Sequence, residues 1–289
     1  MKGTLIVFRS EWYRLTRTRA TLFAAFFVAS VASLRVFAAW VAHQATHTAA
    51  VKKALAAGRE VPEILGPGNA FAPFFDGWLA GLTVGTLLLL IFSSRALASD
   101  LEAGMLRLSR TRTCSRSSLV LGRALLGVPL VLATLIISAL AAAGTASLFF
   151  DYGPFIEYGD VLVTMEELQG EVRHSFLTAL APLLATWTFG LLVSSMSRSG
   201  TSAVGAGIAV YLAFDLFKEV LGKSQYWIFA AFNPSFVDNS YMKEAASMAE
   251  GYSDAGFSEG LYLQNLVIPW PEAILFVSLA SFVIYRRRL

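Results

Sequence analysis

Apolar residues run through this chain in six long blocks, at residues 20–42, 74–94, 119–149, 176–196, 201–217 and 266–285. Most approach or exceed the roughly 20 residues that a helix needs to cross about 30 Å of hydrocarbon. Ahead of the first block, Leu5, Phe8, Trp12 and Leu15 recur at helical spacing, with Arg9, Glu11, Arg14 and Arg17 between them. That alternation predicts an amphipathic helix over residues 4–17, lying in the membrane interface. The first block exceeds the 7–15-residue apolar core of a secretory signal, so it reads as a retained span. Pro129 predicts a kink in the third block. Polar segments separate the blocks at 43–73, 95–118, 150–172 and 218–265, and residues 46–57 within the first of these favour a helix.

Composition agrees with the pattern: 56% of residues are hydrophobic, 15% are charged and the mean hydropathy is +0.60, which excludes a soluble globule. The expected fold is an all-α integral membrane protein, one transmembrane domain over residues 1–289, with six transmembrane helices and an amino-terminal interfacial elbow helix. Charge sets its orientation. The amino terminus, residues 95–123, Arg198 and the carboxyl tail carry 15 of the 23 Lys and Arg residues. By the positive-inside rule that side, including both termini, is cytoplasmic, and segments 43–73, 150–172 and 218–265 are external. The single cysteine, Cys114, excludes an intramolecular disulfide.

The most informative polar stretch is the one between the second and third blocks, where Asp100, Glu102 and Gly104 precede Arg107, Arg110, Arg112, Arg116 and the pair Gly122-Arg123. Together with the basic-acidic pattern of residues 9–17, the short connection at 194–203 and the proline break at Asn233-Pro234-Ser235, this layout resembles the permease subunits of ABC transporters of the type-2 exporter class. The resemblance implies a subunit that forms a translocation path as a pair, a homodimer in preference to a heterodimer, in the cell membrane (a bacterial inner or plasma membrane). It also implies a separate ABC ATPase subunit that binds ATP and Mg and docks on a coupling surface containing Glu11, Asp100, Glu102, Gly104 and Arg107. The chain carries no G-x-x-x-x-G-K-[ST] phosphate loop, so hydrolysis is expected on that partner. No catalytic residue, metal, resident cofactor or nucleic-acid partner is expected of the chain itself. The two polar outer segments, larger than the simplest members carry, offer a place for an external protein.

Arg35, Asp215 and Glu272 interrupt apolar blocks, each about 20–22 Å from the cytoplasmic end of its span. They are expected to share one polar layer, with Arg35 paired to Asp215 or each snorkelling outward. His43 and His47 are four apart, a metal-compatible spacing, but with no third ligand close in sequence they read as a polar end to the first span. Trp40, Trp78, Trp227 and Trp270 fall near block ends and read as interfacial anchors, whereas Trp187, within the fourth block, reads as packing. Ala203, Gly205, Gly207 and Ala209 give the fifth block a small-residue face for close packing, within one subunit or between two. Two rival readings remain. An ion-coupled carrier or channel would use the polar layer as its pathway, and a membrane anchor would pass ATPase motion to an external partner.

Overall fold

The computed structural model describes residues 2–56, 69–104, 115–157, 160–251 and 259–287. In chain order it contains helices α1 (Lys2–Arg17), α2 (Arg19–Ala56), α3 (Phe71–Glu102) and α4 (Arg116–Phe149), strands β1 (Phe155–Glu157) and β2 (Asp160–Val163), and helices α5 (Met165–Met196) and α6 (Gly200–Phe217). Two 3-10 stretches follow, Lys218–Trp227 and Phe229–Phe232, then α7 (Tyr241–Ala249), α8 (Glu259–Val267) and α9 (Pro269–Arg286).

Among the described residues, five helical stretches are long and apolar enough to cross a bilayer: residues 19–53, α3, α4, α5 and residues 260–286. The chain is therefore a multi-pass helical membrane protein. The fifth apolar block forms α6, an 18-residue helix that begins one residue earlier than its pattern predicts.

The helices overrun the apolar blocks because polarity does not end a helix; caps and breakers do. At 38 residues α2 is about 57 Å long, and it carries the helix expected at 46–57 as its own continuation as far as Ala56. The start of α5 is set by a capping box, in which Thr164 and Glu167 satisfy each other's backbone N–H groups. That start falls 11 residues before the apolar block. The end of α3 comes at Ala103, followed by Gly104 at φ 66°, a left-handed conformation suited to glycine. Thr18 separates α1 from α2, its backbone N–H and hydroxyl both donating to Leu15 O.

The acidic segment after α4 departs from the all-helical expectation. Phe155, Ile156 and Glu157 pair antiparallel with β2, and this hairpin leads directly into the Thr164 cap. At the same end of the bundle, α7 buries Tyr241, Met242, Ala245, Ala246 and Ala249 against α3 and α5.

The core lies along α3 and α5. A β-carbon added at Gly77 would come within 2.5 Å of Val36 on α2, and one at Gly85 within 2.4 Å of Thr134 on α4. These glycines let three helices pack at close range. Gly207 plays the same part within the subunit, facing Ser94 of α3, while Gly205 has open space around it. Trp78 is fully buried between Phe74 and Phe75, so it is a core residue and not the interfacial anchor its position suggested. Trp227 and Trp270 are exposed, and Trp40 packs on Phe149.

Candidate functional site

Three elements converge at the α1 end of the bundle on one guanidinium. Arg123, in the second turn of α4, is 3% exposed and donates from Nη2 to Glu11 Oε1 of α1 at 2.9 Å and from Nε to the same oxygen at 3.3 Å. Its Nη2 also meets Asp100 Oδ2 in the last turn of α3. Arg14 closes the cluster from outside, 2.8 Å from Glu11 Oε2. Glu11 is the reason the apolar face of α1 reads imperfectly. The side of α1 that packs on α4 carries Val7 and Glu11, while Leu5 and Trp12 remain exposed.

Neighbouring residues fix the stretch of α4 that carries Arg123. A β-carbon at Gly122 would lie 2.8 Å from Val7, so glycine there lets α1 approach α4. Trp187 of α5 donates its indole N–H to Arg123 O at 2.9 Å, and a β-carbon at Gly127 would enter its ring. Trp187 thus has the packing role expected of it.

An acidic last turn opposes the helix dipole, which favours cations at that end. The acids of α3 are accommodated by serving other elements. Asp100 serves Arg123, and Glu102 Oε2 accepts from Gly200 N at 3.0 Å, placing an anion at the N-terminus of α6. Two arginines treat helix C-termini in the complementary way. Arg116 donates to the carbonyls of Tyr285 and Arg287 at 2.9 Å, and Arg287 donates to Ser195 O and Ser197 O at 2.9 Å.

Of the five expected coupling residues, Glu11 and Asp100 thus share one ion cluster, Glu102 at the end of α3 accepts from the first residue of α6, and Gly104 follows the end of α3. Arg107 lies outside the described residues. The part played by Arg123 and Arg14 in the cluster was hidden in the sequence, because nothing in their spacing marks which of many arginines is buried.

The polar layer is arranged differently from the expectation. Arg35 does not pair with Asp215; it reaches Asp76 of α3 at 3.0 Å, with about half its side chain exposed. Asp215 pairs with Lys218 at 2.9 Å, both side chains fully buried, and Lys218 Nζ also reaches Ser235 Oγ at 3.0 Å and Ala230 O at 3.4 Å. The pairing follows from reach, since residues three apart on one helical path are neighbours. Glu272 meets the backbone of Phe229, so Asp215 and Glu272 flank the same 3-10 stretch and Arg35 stands apart. Nearby, Asn233 Nδ2 donates to Thr186 Oγ1 at 2.8 Å. Burial pushes the Asp238 carboxyl up to about 6, against the opposing pull of its Ser240 hydrogen bonds and of Lys218. The Tyr241 hydroxyl is pushed upward by burial and by its 2.5 Å hydrogen bond to Glu171.

Compared with known proteins, the chain matches no family model and no curated sequence. The reading of the site therefore rests on its geometry and on the sequence pattern.

Proposed function

We propose that this chain is the membrane-spanning subunit of an ATP-driven transporter of the type-2 ABC exporter class, paired with a second copy and driven by a separate ATPase. The observation that carries the reading is the buried Arg123 cluster, which joins α1 to the neighbouring ends of α3 and α4. A push on any of the three elements is passed to the other two through charge-assisted hydrogen bonds centred on the buried Arg123 guanidinium. In this reading α1 is an elbow lying in the cytoplasmic interface, with exposed Leu5, Ile6, Trp12 and Tyr13 among lipid headgroups. α6 is the sixth crossing, and both termini are cytoplasmic. The ATPase docks against α1 and the 100–107 segment. Glu102 then relays its motion to α6 through the Gly200 N–H.

The folded cap of β1, β2 and α7 at the opposite end favours one variant of this reading. There the motion is delivered to an external protein in place of a transported molecule.

The test is reconstitution with the ATPase encoded beside this chain, if one adjoins it, scoring association and ATP-dependent work. The Glu102→Lys variant is expected to insert normally and to lose association or transport by tenfold or more, whereas Glu102→Gln, which can still accept from Gly200, keeps most of both. Full activity of Glu102→Lys, or activity of the purified chain under an ion gradient with no ATPase, overturns the proposal.

A further inference from the structure

Beside the Arg123 cluster, a pocket of about 370 Å³ lies among α1, α3, α4 and α5, with Arg14, Thr18, Arg95, Ser99, Arg123 and Trp187 in its wall. Its charge is not balanced from within. Glu11 and Asp100 supply two carboxylates against the guanidiniums of Arg14, Arg95 and Arg123, which leaves one positive charge. Of the three guanidiniums, those of Arg95 and Arg14 are on exposed side chains, so an anion in the pocket can reach them.

A second, apolar cleft of about 110 Å³ neighbours this pocket, with Phe92 in the wall of both. It runs between α2, α3 and α4, past Thr21, Ala25 and Val28 on one side and Leu89, Gly85 and Thr134 on the others. From Phe92 to Gly85 is seven residues, about 10 Å of helix rise. A basic pocket at the end of a bundle, beside an apolar slot along it, has the two chemistries of a phospholipid in the right order.

We propose that the pocket and the cleft together bind one anionic glycerophospholipid from the leaflet that adjoins α1. Its phosphate sits against Arg95 and Arg14, and the first few methylenes of one acyl chain occupy the cleft between α2, α3 and α4. Guanidinium forks suit phosphate oxygens, and the displaced water regains its bulk partners as the chain enters. The lipid fastens the α1–α2 corner to the bundle, so it tunes the element that the ATPase is proposed to move. Naming the leaflet as cytoplasmic rests on the function proposed above; the binding itself does not.

The test uses the purified full chain, stripped of lipid in mild detergent, with no ATPase present. Phosphatidylglycerol, phosphatidylcholine of the same chain length and soluble glycerol 3-phosphate are compared by native mass spectrometry and thermal unfolding. Phosphatidylglycerol is expected to remain bound and to raise the unfolding temperature by several degrees, while the other two do neither. Arg95→Gln weakens phosphatidylglycerol binding roughly fivefold, the worth of one cation near an anionic lipid. Ala25→Phe fills the cleft and abolishes retention; if that variant misfolds, Ala25→Leu provides a milder block. Equal binding of the two lipids, a match by glycerol 3-phosphate alone, or unchanged binding in Arg95→Gln overturns the proposal. Failure to find a hydrolysing partner leaves this result untouched, and a failed lipid experiment leaves the ATPase assay to stand by itself.

Discussion

Exchanging Arg123 for methionine destabilises the chain by about 3–5 kcal/mol, the usual cost of removing one partner from a buried ion cluster. Glu11 and Asp100 then face each other without the guanidinium that both of them use, and Arg14, half exposed, cannot replace it. The decisive comparison adds Glu11→Gln and Asp100→Asn to the Arg123→Met background. The triple variant is expected to recover most of the unfolding temperature in detergent, because no uncompensated charge remains. It should nevertheless fail to couple ATP hydrolysis to transport, since the link between α1, α3 and α4 is gone. Equal stability of the single and triple variants would mean that the loss is one of packing, not of charge.

Lys218→Met has an effect of comparable size for a related reason. Lys218 and Asp215 are both wholly buried, and Asp215 Oδ2 already lacks a partner among the described residues. Removing the ammonium strands the carboxylate and also releases Ser235 and the carbonyl of Ala230, at about 3–5 kcal/mol. Pairing it with Asp215→Leu should return much of that loss, and a double-mutant cycle read by thermal unfolding in micelles measures the coupling. Additive losses in the cycle would show that the two groups act independently. The same cycle run on Arg35 and Asp215 is expected to give no coupling, because Arg35 is engaged by Asp76 on a different pair of helices.

Hydropathy located the long helices well. Helical periodicity at residues 4–17 became α1, Pro129 stands inside α4, and the short connection after residue 196 separates α5 from α6. These features are local, and local sequence carries them. Helix ends were harder to read because hydropathy reports where lipid begins, while the helix itself runs on to the next cap: Thr164 for α5, Gly104 for α3. The hairpin was missed in a short acidic segment where, among the described strand residues, only Phe155 and its cross-strand partner Val163 turn toward the protein.

Charge partners were the least legible. Asp76 sits in the second apolar block and Lys218 just past the fifth, yet matching depths on straight helices favoured Arg35 with Asp215. That reasoning gave height along the bundle but no angle around it. The i, i+3 spacing of Asp215 and Lys218 was the local signal that would have found the correct pair. For the coupling segment, the acids at 100 and 102 were visible as an oddity at a helix end, whereas the burial of Arg123 among many arginines required the packing of Gly122 on Val7 to be seen.

The side of the membrane that the Arg123 cluster faces decides whether an ATPase can reach it, and the single cysteine offers a native probe of that side. Cys114 lies two residues before α4, in the segment that joins Gly104 to Arg116. A membrane-impermeant maleimide should modify Cys114 in inside-out vesicles and spare it in sealed right-side-out ones, with protection when the ATPase is bound. Labelling from the external face would put Glu11, Asp100 and Arg123 beyond the reach of any cytoplasmic ATPase and would contradict the account.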